Sequence, residues 1–181
     1  DEITTRGAHK ANDRFQAPMF RGADSDTYID TSTSNLLKFY ANNNEVLNLG
    51  GSGVRHPNQD FFLVRPTSDV SNYADDTDTT VVFGTEIIDQ GSNFSSNTFT
   101  ASRTGAFCIM VSLQFHAGSL DASIHYVLKI VTSNRTYLKM IPGNSSELMN
   151  MTFSVIADMD QGDTAHVVFK PKGSGTADSD A

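Results

Sequence analysis

The side chains best suited to bind a metal or move a proton near neutral pH are five histidines, His9, His56, His116, His125 and His166. None stands in a His-Glu-x-x-His arrangement. His116 and His125 flank an expected hairpin and could meet across it to hold zinc or sense pH. The plainer reading is polar filler at a surface or interface. Asp75, Asp76 and Asp78 gather carboxylates on one short segment, and calcium, a hard cation, wants several such oxygens. The plainer reading there is a solvated loop between two strands. Asp158, Asp160 and Asp163 open like an EF-hand loop, but the glycine falls at the wrong position and no glutamate follows at the required distance. A turn is expected instead. No cofactor is therefore expected, and calcium at 75–78 is the alternative.

Covalent catalysis has no footing. The chain carries no Gly-x-Ser-x-Gly elbow, no phosphate-binding loop and no Cys/His nucleophile pair. Paired carboxylates occur only in expected turns, which gives no acid/base couple. The expectation is a protein that is not an enzyme.

The chain has 181 residues, with 38% hydrophobic and a formal net charge of -8. That charge repels nucleic acid and anionic membranes, so neither is an expected partner. No apolar run approaches the roughly 20 residues needed to span a bilayer, so no membrane insertion is expected. With no initiating Met and no signal peptide, Asp1 reads as the start of a fragment or mature piece. The single cysteine, Cys108, lies between Phe107 and Ile109 and reads as a buried small hydrophobe. With no disulfide available within the chain, burial in an oligomer would supply stability. Asn93, Asn134, Asn144 and Asn150 each begin an Asn-x-Ser/Thr sequon, a weak signal in a chain rich in Asn and Ser.

Short strands must position whatever this protein presents. Strands are expected at 61–64, 80–83, 87–89, 97–101, 105–116, 124–132, 135–141, 148–156 and 165–169, all rich in Val, Ile, Phe, Thr and Tyr. Gly, Asn, Asp and Ser separate them. Residues 106–115 are almost continuously apolar, which suits a central strand covered on both faces. The methionines at 140, 149, 151 and 159 read as strand core, with a sticky receptor-facing surface as the alternative. The stretch at 33–40 reads equally as a helical turn or a strand. Many short strands with regular turns argue for a sandwich or jelly roll. Residues 1–59 are polar and cannot build a core of their own, so they are either disordered or completed by other chains. GGSGVRHPNQ at 50–59 reads as a linker, and KPKGSGTADSDA at the end reads as frayed.

The stretch FGTEIIDQGSNFSSNTFTASRTGAF at 83–107 spaces its aromatics with turn residues between them. Phe83, Asp89 and Phe94, then Phe99, Gly105 and Phe107, together with Gly162-Asp163 before an apolar strand and the opening FFLVRPTSDV, resemble the complement 1q-like globular head. That jelly-roll superfamily also contains tumour necrosis factor. Two features depart: the gap from Phe94 to Phe99 is two residues short, and the final strand after the Gly-Asp turn has no counterpart in TADSDA. A second resemblance covers 15–50. Ala17, Pro18, Phe20, Asp26, Thr27, Tyr28, Asp30, Thr33, Ser34 and Leu36, followed by FYANNNEVLNL, are similar to repeats of phage tail fibres and adhesins. Arg21-Gly22 and Thr31 depart from that pattern.

Together the resemblances imply an all-β chain, a fibre shaft at 1–59 and a jelly-roll head at 60–181, assembled as a homotrimer. They imply a viral tail or capsid fibre, extracellular on the virion, whose head recognises a glycan or protein on the host cell. The expected contact loops are 117–123 and 143–146, with Ser119, Asp121, Ser123, Asn144 and Ser145 as contact candidates because small polar side chains suit hydrogen bonding to a receptor. The alternatives are a decoration or fibre-joining protein that binds other virion proteins, and a secreted trimeric signalling or adhesion head.

Overall fold

The computed structural model describes residues 19–21, 23, 25–116, 125–142, 148–173 and 177–180, and it divides into two compact units, Asp1–Asn58 and Gln59–Ala181. The described residues form strands and turns with no helix.

In the first unit, β1 (Met19–Arg21), β2 (Tyr28–Asp30), β3 (Leu36–Ala41), β4 (Asn44–Gly50) and β5 (Gly53–Arg55) pair antiparallel in chain order as one sheet. The stretch that reads as helix or strand is therefore a strand. Asn42 and Asn43 turn the chain between β3 and β4 with φ of 51° and 57°. Two consecutive left-handed residues make a type I′ turn, whose twist matches that of the flanking strands. Tyr28 lies opposite Tyr40 and stacks on it at 4.5 Å between ring centroids. β5 corrects the linker reading, because part of that Gly-rich stretch folds back on β4 through the pair Gly50 and Gly53. No described residue of this unit is buried. A single sheet layer leaves its apolar side chains only half covered.

The second unit is a two-layer sandwich. One sheet runs β15 (Leu148–Met159), β12 (Gly105–His116), β17 (Ala177–Asp180), β7 (Val70–Tyr73). The other runs β10 (Phe94–Ser95), β11 (Thr98–Thr100), β16 (Thr164–Lys172), β13 (His125–Thr132), β14 (Thr136–Pro142), with β8 (Thr79–Thr80) also on β16. A separate ribbon pairs β6 (Phe61–Arg65) with β9 (Thr85–Gln90). Each sheet places late strands beside early ones: β17 between β7 and β12, and β16 between β11 and β13. That interleaving of two Greek keys is a jelly roll.

The alternation of side chains fixes which residues fill the sandwich. On β12 the inward set is Ile109, Val111, Leu113 and Phe115. On β16 it is Ala165, Val167 and Phe169. Tyr126, Leu128 and Ile130 add the face of β13, and Met149, Met151, Ala157 and Met159 that of β15. The same alternation overturns several expectations. Cys108 and Met110 have the opposite parity on β12 and point out of the sandwich, so Cys108 is exposed rather than buried and the strand is covered on one face only within the chain. Met140 likewise faces outward at 55% exposure, unlike Met149, Met151 and Met159. β12 and β13 lie in different sheets, so His116 and His125 do not pair across a hairpin. The final strand has its counterpart after all: ADSD forms β17, with Asp180, Ser179 and Asp178 opposite Gln114, Phe115 and His116. Its polar sequence hides a strand whose place is set by backbone pairing on both sides.

Candidate interaction surfaces

The spaced aromatics converge. Phe62 of β6 stacks on Phe94 at 5.3 Å and on Phe99 at 5.0 Å. Phe83 meets Phe94 edge-on at 6.3 Å, and Phe99 tilts against Phe107 at 5.5 Å. The acidic member of the pattern holds the turn between them. Asp89 Oδ1 accepts the Asn93 amide at 3.0 Å, and its Oδ2 accepts that of Phe94 at 3.1 Å. Gly91 within this turn has φ of +99°, a conformation that L side chains rarely adopt. Asp60 closes the end of β6: it accepts Ser102 Oγ at 2.6 Å and Asn93 Nδ2 at 2.8 Å while only 5% exposed. The spacing in the sequence is thus a structural device. It ties the β6–β9 ribbon to the sandwich and carries no reactive group. Asp60 belongs to the same device, and no periodicity marks it.

The proposed contact residues Ser119, Asp121, Ser123, Asn144 and Ser145 lie outside the described residues. The acidic segment is described, and lysines meet it. Asp76 lies 2.7 Å from Lys170 Nζ and 3.5 Å from Lys172 Nζ, and Lys129 donates to Asp78 at 2.7 and 2.6 Å. Asp75 Oδ1 accepts the Gly173 amide at 2.9 Å. The hydrogen bond from Lys170, with its charge and that of Lys172, holds the Asp76 carboxyl below its ordinary value, and the same contact raises Lys170. Among the described residues, no group of three or more His, Cys, Asp or Glu is arranged to hold a metal ion. Asp158, Asp160 and Asp163 form the expected turn: Asp163 Oδ2 accepts the Asp160 amide at 2.8 Å and Asn134 Nδ2 at 2.7 Å. Asn93 Nδ2 thus donates to Asp60, and Asn134 Nδ2 donates to Asp163 and to the Asp158 carbonyl.

The outer face of the β15–β12 pair is the surface that sequence reading missed. Met110 is 72% exposed and Ile156 is 75% exposed. Cys108 stands opposite Ile156, and Met110 is its diagonal neighbour across the ladder. Towards the other end the same face turns polar, where Ser112 and Thr152 share a hydrogen bond of 3.1 Å and Gln114 faces Asn150. The signal was present in the alternation of β12, once one buried residue anchors the parity.

No protein-family model matches the chain, and no curated protein does. Among solved structures the chain is similar to the globular domain of a zebrafish complement 1qA protein. The two are 12% identical, the match covers 67% of this chain and 93% of that one, and the TM-score is 0.49. The jelly-roll assignment stands on the strand order itself.

Proposed function

We propose that the protein is a non-enzymatic recognition head that works as a homotrimer. The observation that carries this reading is the apolar outer face of β12 and β15, where Met110 and Ile156 stand 72% and 75% exposed. Exposed apolar side chains grouped on one sheet face mark association surfaces. Copies of the same face meeting around an axis would bury them. The first unit supports the same reading, since its single sheet layer buries none of its described residues and would gain a core from neighbouring copies.

The finer reading is a viral fibre protein, extracellular on the virion, with a shaft at 1–59 and a head at 60–181 that binds a host-cell glycan or protein. The tail-fibre-like pattern at 15–50 supports it, as does the strand–Asn turn–strand hairpin at Asn42 and Asn43. Three heads present three copies of the loops at 117–123 and 143–146, and avidity multiplies weak contacts through effective concentration. The head acts without a cofactor; calcium at 75–78 would have to displace Lys129 and Lys170. A secreted trimeric head is the second reading, which the jelly-roll topology supports equally.

Native mass measurement with and without a chelator tests the proposal. A trimer that survives chelation is expected. A trimer that dissociates would make the acidic segment a metal site, and a monomer in both conditions would sink the reading. Adsorption to host envelopes, compared with binding to isolated virion proteins, separates attachment from a structural role.

A further inference from the structure

Besides Val82, the exposed large apolar side chains described in the second unit fall in three groups. Met110 and Ile156 stand on the outer face of β12 and β15, and Leu138 and Met140 stand on the outer face of β14 in the opposite sheet. The third group lies on the β6–β9 ribbon, where Phe61, Leu63, Ile87 and Ile88 are 42% to 55% exposed. Alternation accounts for the first two of these. Phe62 and Val64 pack against the core, so Phe61 and Leu63 point the other way. Leu63 stands opposite Ile88, and a bulge beside that pair adds Ile87 to β9.

The ribbon lies along the flank of the sandwich. Phe62 stacks on Phe94 and Phe99, in the two strands at the end of one sheet. Leu63 and Met110 line one cleft, so β6 also lies beside β12 of the other sheet. The ribbon therefore bridges the two layers at their side, and its exposed group borders the outer face at Met110. A closed ring of three copies is built from heterologous contacts, in which one patch of each copy meets a different patch of the next. The outer face of β12 and β15 supplies one patch. Its two large apolar side chains fall short of the roughly 800 Å² per partner that a specific interface buries. The outer faces of a sandwich point in opposite directions, so joining this face to β14 of the next copy would stack copies in an open row. A flank stands at an angle to the face, and joining face to flank closes the ring.

We propose that the exposed face of the β6–β9 ribbon receives the outer face of β12 and β15 from a second copy of this chain. The inference rests on the homotrimer reading and supplies the surface that the outer face meets. Phe61, Leu63, Ile87 and Ile88 of one copy cover Met110 and Ile156 of the next. Each copy gives its face to one neighbour and its flank to the other, so all three contacts are the same. The apolar surface of both patches leaves water in the closed ring.

The test uses two versions of the full chain, co-expressed with different tags. One carries Phe61→Cys and Cys108→Ser. The other keeps Cys108, the single cysteine of the sequence, which stands opposite Ile156 on the outer face. Each copy then holds one thiol, so a short bismaleimide can join positions 61 and 108 only between copies. A covalent pair bearing both tags is expected, mapped by mass spectrometry to peptides containing 61 and 108. Independently, Ile88→Asp should shift the native mass at micromolar concentration from three chains to one, because it puts a charge into an apolar contact. Circular dichroism should keep the strand content of the parent. A trimeric parent in which position 61 joins only itself or nothing, or in which Ile88→Asp stays trimeric, overturns this interface and leaves the homotrimer reading standing. Capture of position 61 only by a different protein of the expressing cell also overturns it. A parent that is a single chain overturns both.

Discussion

Phe115 and Phe169 stack across the sandwich with ring centroids 4.0 Å apart and planes 17° from parallel. They belong to different sheets, and both are fully buried. Tyr73 meets Phe169 edge-on at 5.0 Å, and Tyr126 lies near parallel to it at 5.8 Å. Phe169 is therefore the hub that joins the layers. Phe169→Ala should destabilise the second unit by about 3–5 kcal/mol, and Phe169→Leu by less. Urea unfolding would show this as a lower midpoint at unchanged slope. A loss under about 1 kcal/mol would mean that the layers do not meet at this ring.

Tyr126 is wholly buried, and its hydroxyl has no hydrogen-bond partner among the described residues. Burial alone pushes its pKa up to about 12. In the unfolded chain that hydroxyl is hydrated. Tyr126→Phe removes the unpaired group and keeps the stacked ring, so a gain of about 1 kcal/mol in stability is expected. A clear loss by thermal denaturation would reveal a partner for the hydroxyl.

The contact between Asp76 and Lys170 gives the fold a defined pH window. The folded pKa of Asp76 lies below its ordinary 3.8, so its contribution is present above that value and fades as pH falls through the lower folded one. Lys170 is raised above 10.5, so its contribution is full below that value and lost as pH rises through the folded one. Asp76→Asn should lower the melting temperature near pH 7 by a small amount, because the pair is half exposed and screened by salt. Variant and parent should converge in acid, well below pH 3.8. An unchanged difference there would point to packing rather than charge.

Asp89 holds two backbone amides of the turn that seats Phe94. Asp89→Ala leaves both amides without this acceptor and should cost about 1–3 kcal/mol. Chemical denaturation measures it. A neutral result would mean that the turn is held by the ring contacts alone.

Ile156→Lys and Met110→Lys put charge on the outer face without touching the core. Each should leave the single chain folded, with the strand content of the parent by circular dichroism. In the proposed trimer each should shift the native mass at micromolar concentration to a single chain, because an unpaired charge in a shared apolar interface is strongly disfavoured. A variant that remains trimeric would move the interface elsewhere.

Much of the architecture was legible because turn chemistry and alternation are local. Gly105 to His116 reads as one strand from its apolar run and is one strand, β12. The Asn turn, the Gly-Asp turn and the aromatic spacing all perform the jobs their residue types imply. β17 was hidden because ADSD has no strand propensity, and its place comes from the two strands that pair with it. β7 and β10 are short and draw their pairing from distant partners in the same way.

The sequence by itself determined an all-β chain, an acidic surface and the absence of any recognised catalytic motif, since composition, alternation and motif spacing are properties of neighbouring residues. Only the tertiary structure decided which parity of β12 faces inward, and so exposed Met110, Ile156 and Cys108 rather than burying them. It also decided that the acidic segment meets lysines from β13 and β16. The physical reason is the same in each case. A strand's pattern fixes two faces and two edges, but which of them meets another layer depends on strands far away in the chain.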